Sequence, residues 1–213
     1  MSYDHVLLPS GVAATPDEVD AYLTAQRGLP ESAAVAEISA VLNERDAALG
    51  EDGFLSSAPV GGMENGAALY VSSPLDAVGH LRGLLFELAT PRGYAVYDPQ
   101  LTWLIDPDEH VAVAVTHGGA GEFPYLTETL AHAWIPELAD PNPYLIVERA
   151  PQVYIQTFRD GSGVYTLEYR DGSPDKHFGT QLTDAAQVAA LVWGWTTGDR
   201  ADLDALDWER VDL

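Results

Sequence analysis

Between Tyr144 and Thr180 the apolar residues recur with a period of two, and immediately afterwards the period changes. Val153, Ile155 and Thr157 alternate with Tyr154, Gln156 and Phe158; beyond Asp160-Gly161-Ser162-Gly163, Tyr165, Leu167 and Tyr169 alternate with Val164, Thr166 and Glu168. Such alternation sends successive side chains to opposite faces, so the stretch reads as antiparallel strands joined by Gly-rich turns. Arg170-Asp171-Gly172-Ser173-Pro174 supplies a second turn, because Asp-Gly tolerates positive φ and Pro ends a ladder. The chain then returns through His177, Phe178 and Thr180. From Thr183, the expected cap, Val188, Leu191, Val192 and Trp195 fall at i, i+3, i+4 and i+7, and Gly198 stops the stripe. A β-meander and its covering helix are therefore expected to bury each other.

The preceding chain alternates elements of both kinds. Tyr3–Leu8 reads as a strand, and Thr15-Pro16-Asp17-Glu18 opens a helix with a capping hydroxyl, Pro at its first position and a glutamate three residues after the cap. Helical spacing resumes over Glu31–Leu49. Phe54–Pro59 and Ala67–Ser72 are expected to be strands joined by the loop Val60–Gly66. Ser73-Pro74-Leu75-Asp76 repeats the cap grammar ahead of a helix ending near Gly93, and Tyr94–Tyr97 and Leu101–Ile105 form a strand and its return. That order suggests a ferredoxin-like sheet in residues 1–108, with helices on one face. The polar segment Asp106-Pro107-Asp108-Glu109 marks the seam to a second α+β region, 109–213. There, Val111–Val115 is expected to be a strand buried on both faces, Tyr125–Ile135 a helix and Trp208–Leu213 a closing strand. The fold class is α+β, built from antiparallel sheets.

Charge constrains partners more than fold. With 33 acidic against 10 basic residues, the net charge is −23, and Lys176 is the only lysine. Such a field opposes direct binding to nucleic acid and to anionic membranes, and it speeds encounter with a cationic protein. It equally serves solubility. An apolar fraction of 46% is ample for a core. The absence of cysteine excludes disulfides and thiolate chemistry. No export signal or apolar span is evident, so a cytoplasmic location is expected.

Chemistry-bearing motifs are scarce. His117-Gly118-Gly119 is shaped like the oxyanion loop of esterases, yet no Gly-x-Ser-x-Gly elbow accompanies it. None of the six histidines pairs with another at the spacing of a shared metal. Asp106, Asp108, Glu109 and His110 offer oxygen ligands without the glycine and terminal glutamate of a calcium loop, so no metal or cofactor is expected. Glu168 reads as a cross-strand partner of a cation rather than a catalytic carboxylate. Trp193 and Trp195 point roughly 200° apart on a helix, so only Trp195 lies on the apolar stripe and Trp193 is left for a rim or a contact surface.

The segment VYIQTFRDGSGVYTLEYRDGSPDKHFGTQLTD, the helix AAQVAALVWGWTTGD and the closing LDWERVDL resemble the C-terminal half of Imm1-like immunity proteins of actinobacterial polymorphic toxin systems. The likeness rests on Glu168-Tyr169-Arg170-Asp171-Gly172, the Trp-bearing helix ended by Gly198-Asp199, and Trp208, and it covers about residues 144–213. It implies a stoichiometric inhibitor that binds a toxin and catalyses nothing, and it brings no catalytic motif. Asp171, Trp193, Asp199, Asp202 and Asp204 are the expected partner-binding residues, because they sit in a turn or just beyond the Trp-bearing helix. Two alternatives stand beside this reading: an acidic regulatory or DNA-mimic module, and an enzyme without a recognisable motif. The oligomeric state is left open.

Overall fold

The computed structural model describes residues 2–211, and the chain divides into two compact units, the first ending at Asp108 and the second beginning at Glu109. Each is a mixture of helices and an antiparallel sheet. Among the described residues no helix is long and apolar enough to cross a membrane.

The first unit comprises β1 (Ser2–Pro9), α1 (Pro16–Gln26), α2 (Ala33–Leu49), β2 (Leu69–Pro74), α3 (Val78–Ala89), β3 (Tyr94–Asp98) and β4 (Trp103–Ile105). Thr15 caps α1 by accepting from the Glu18 amide, while the Glu18 carboxylate accepts from the Ala14 amide at 2.7 Å. Orphan donors at the helix start are thus met reciprocally. Val6 and Leu8 of β1 join Ala95 and Tyr97 of β3 against Val19 and Leu23 of α1. The alternate residues of β1 face the other way, where Arg82 of α3 reaches Asp98 at 3.1 Å and Tyr3 donates to the same carboxylate at 2.7 Å. Helices therefore lie on both faces of this sheet, not on the single face expected.

Sheet order is β2-β1-β3-β4, with every pair antiparallel. β1 and β2, joined through α1 and α2, are antiparallel neighbours, whereas a ferredoxin-like unit has its helix-joined strands parallel with another strand between them, so the ferredoxin-like detail is not confirmed. Phe54–Pro59 is not a strand either. Asn43 of α2 exchanges two 2.8 Å hydrogen bonds with the Val60 backbone, and Asp46 accepts from the Leu55 amide at 2.8 Å. Side chains of α2 thus occupy backbone groups that a ladder would need, while Phe54 is buried as an anchor. Ser73 pairs with Tyr3 inside the sheet and caps nothing.

The second unit runs β5 (Val111–His117), β6 (Gly121–Leu126), α4 (Glu128–Glu137), β7 (Tyr144–Ala150), β8 (Val153–Arg159), β9 (Tyr165–Asp171), β10 (His177–Leu182), α5 (Ala185–Thr197), α6 (Ala201–Asp204) and β11 (Glu209–Arg210). Its seven-stranded sheet has the order β11-β10-β9-β8-β7-β5-β6. The meander forms in the expected register, Ile155 opposite Val147 and Tyr169, Leu167 opposite Thr157 and Thr180. Its inward residues, among them Val147, Ile155 and Leu167, are fully buried. The covering layer is α4 and α5 packed against each other, with α5 lying across β5 and β7 to β10. Val188, Leu191, Val192 and Trp195 are all buried.

Four local readings change. Asp184, not Thr183, caps α5. Val111–Val115 is buried on one face only, because Ala112 and Ala114 look outward. Tyr125 and Leu126 end the edge strand β6, and the helix begins after Thr127, whose hydroxyl accepts from the Leu130 amide. Pro124 hid that strand, since proline is confined to edges and irregularities, and β6 is an edge beside a register shift. Of the closing strand, Glu209–Arg210 pairs with β10; Asp212 and Leu213 lie outside the described residues.

Trp195 is 2% exposed, with the Arg149 guanidinium 4.5 Å above its ring and bonded to the Thr196 carbonyl at 2.6 Å. Replacing Trp195 with Ala is expected to cost about 3–5 kcal/mol by removing this core contact. Chemical denaturation checks it; a loss under about 1 kcal/mol would refute the placement.

Candidate functional site

The end of α5 gathers three of the five expected partner-binding residues. Gly198 adopts φ of 92°, and its amide bonds to the carbonyls of Gly194 and Trp195, so the chain reverses at once. The returning backbone passes so close that a Cβ on Gly194 would stand 2.9 Å from the Asp199 carbonyl oxygen. Glycine between the two tryptophans is therefore what lets Asp199 approach. Asp199 then accepts from the Ala201 amide at 3.1 Å and starts α6. The result is a depression of about 200 Å³ where Trp193, Asp199 and Asp202 meet Glu128 of α4, with Leu191 and Leu203 beneath. Three acidic residues share its lining with Trp193, and no lysine or arginine lines the depression.

Asp204 and Asp171 stand apart from this group. Asp204 pairs with Arg200 at 3.2 Å, one helical turn away, and Arg200 stacks over Tyr169 at 4.8 Å. Asp171, at the end of β9, pairs with Lys176 at 3.4 Å. Both are exposed pairs of small energetic weight.

A second constellation lies on the opposite face of the sheet. Arg170 donates to Gln152 Oε1 at 2.6 Å and lies 3.2 Å from His177 Nδ1, while His177 Nε2 lies 3.2 Å from Glu168 Oε2. Guanidinium nitrogens only donate, so His177 Nδ1 is the acceptor and its ring proton sits on Nε2, directed at Glu168. Gln156 donates to the same carboxylate oxygen at 2.7 Å. Arg170 and His177 are buried, 8% and 2% exposed. Glu168 borders a depression of about 210 Å³ rimmed by Tyr144, Ile146 and Phe158. The sequence gives Glu168 a cationic cross-strand partner, whereas the structure gives it histidine and glutamine. The signal that would have found them is register: His177 faces Arg170 and Gly179 faces Glu168, which makes Glu168 and His177 diagonal neighbours.

The other motifs resolve into structure. Asp106 accepts from the Ser10 hydroxyl and from the amides of Gly11 and Asp108, tying a loop. Among the described residues no group of three or more His, Asp or Glu is arranged to hold a metal ion. His117 is buried at the end of β5, its Nδ1 accepting from the Gly119 amide at 3.1 Å, so that amide serves a turn and not an oxyanion. No protein-family model, curated protein or solved structure matches the chain.

Two outcomes follow from this geometry. Truncating Glu168 to Ala leaves Gln156 and the His177 ring proton without their acceptor, and is expected to cost about 1–3 kcal/mol in chemical denaturation. Burial pushes the pKa of His117 and of His5 down to about 4. In the unfolded chain each imidazole takes up a proton near pH 6.5, roughly, which the folded chain refuses. Their stabilisation is whole above that value and is lost as pH falls towards 4, the value of the folded groups. Melting temperature should therefore drop over this window, and His117→Phe should flatten the drop; an unchanged slope would contradict the assignment.

Proposed function

We propose that the chain is a stoichiometric binding protein whose acidic surface engages a cationic protein partner. The observation that carries this reading is the depression at the end of α5, which Trp193 lines together with Glu128, Asp199 and Asp202 and no lysine or arginine. A partner arginine or lysine entering it stacks on the indole and meets a carboxylate at once. Tryptophan in a partly enclosed site is a typical anchor of such contacts. The net charge of −23 adds long-range attraction, which sets the rate of encounter more than the strength of the complex.

The resemblance of residues 144–213 to Imm1-like immunity proteins supports a finer form: the partner is a toxin, and binding neutralises it. Acidic side chains would meet the basic surface through which such a toxin holds nucleic acid.

Co-expression with the product of the adjacent gene, scored by survival, tests the finer form; if no neighbouring product is toxic, it falls. The broader form is tested by kinetics against a captured partner. Association should slow steeply with salt while dissociation changes little, since exposed charges are screened over about 8 Å at physiological ionic strength. Trp193→Ala should weaken the complex by about 2 kcal/mol or more. Full affinity in both Trp193→Ala and Asp202→Asn variants would overturn the assignment of this surface.

A further inference from the structure

The first unit carries a groove of about 580 Å³ between α1 and the sheet, a volume suited to a small organic ligand. Its floor is Val6, Asp4 and Ser72, the last donating to Asp4 at 2.5 Å. Tyr70 and Tyr97 supply aromatic sides; Tyr70 is 43% exposed although it is held in the sheet opposite Val6. From α1 come Asp20, Leu23 and Thr24, and from its C-cap Arg27. Asp20, Leu23 and Thr24, at i, i+3 and i+4, make one helical stripe with Leu23 buried, and Arg27 stands just past the last turn.

Arg27 sets this groove apart. Every other lysine and arginine of the chain donates to a carboxylate, an amide oxygen or a backbone carbonyl. Among the lysines and arginines, all of them described, Arg27 alone has no side-chain hydrogen bond or ion pair, in a chain with 33 acidic residues. Asp20, in the same stripe, also has none, and the two stand seven residues apart, about 10 Å along the axis. That separation keeps them from pairing with each other. An unpaired cation and an unpaired anion thus stand beside a trough walled by Leu23, Tyr70 and Tyr97, with a second carboxylate, Asp4, on the floor.

We infer that this groove binds a short free peptide, its ammonium group at Asp20 and Asp4 and its terminal carboxylate at Arg27. Three extended residues span about 10 Å, which matches the distance between the charged ends. The guanidinium fork suits a carboxylate, and the tyrosine rings suit an apolar side chain in the middle. This site is independent of the acidic depression on the second unit.

Titration calorimetry of the full chain with free Ala-Leu-Ala, its N-acetyl form and its C-terminal amide tests the inference. Saturable binding of the free tripeptide at millimolar concentration or below is expected, with each blocked form weaker by about fivefold or more. Arg27→Ala should abolish the preference for the free carboxylate over the amide, and Asp20→Asn the preference for the free ammonium over the acetylated form. Asp20 on α1 and Arg27 at its C-cap are both exposed, and unchanged thermal unfolding of the variants would show that folding is intact. Thr24→Trp, also exposed, should fill the groove and abolish binding. Absence of saturable binding, equal binding of the blocked forms, or indifference to Arg27→Ala would each overturn the assignment.

Discussion

Burial of the α4–α5 layer against one face of the seven-stranded sheet is the contact on which the second unit depends. A sheet of this length exposes a row of Val, Ile, Leu and Tyr side chains that only a matching apolar surface removes from water, at about 1.5–3 kcal/mol for each large side chain. The stripe Val188, Leu191, Val192 and Trp195 supplies that surface, with Trp134 of α4 packed on Phe123 at 4.6 Å between ring centres. Once the inward face is filled, the period of two dictates what the outward face receives. Glu168, Arg170 and His177 are there because their neighbours in sequence are not.

The same separation governs charge. Cations are few, and most are absorbed locally: Arg82 by Asp98 under α3, Arg149 by Trp195 and the end of α5, Arg170 by Gln152 and His177. Positive charge is spent on fastening the fold, so the acidic excess reaches solvent largely unopposed. Arg27 is the exception, exposed at the C-cap of α1 without a side-chain hydrogen bond or ion pair.

Much of the fold was legible because it rests on periodicity. The meander, the α5 stripe and the cap at Thr15 all follow from spacing that a few residues determine. Elements whose cause is distant in sequence were not. Phe54–Pro59 has strand-like composition, yet Asn43 and Asp46 of a preceding helix claim this region's backbone. β6 carries a proline tolerated only because the strand is an edge, which no local pattern discloses. Site residues divide the same way. Trp193, Asp199 and Asp202 come together through the turn at Gly198, within a dozen residues, whereas Glu128 joins them from a separate helix. The bond from Glu168 to His177 requires the register of two strands, and the groove beside α1 requires residues from α1, β1, β2 and β3 at once.

Both ends of the large sheet are poor templates. At one end β6 places Pro124 where another chain would need an amide donor, next to a shift in register. At the other, among the described residues, β11 presents the two exposed, oppositely charged residues Glu209 and Arg210. A seven-stranded antiparallel sheet with long, regular edges would invite a copy of itself to continue the ladder. Here one edge strand carries a proline, which has no amide to donate, and the described part of the other is two charged residues, both features that discourage continuation of the ladder.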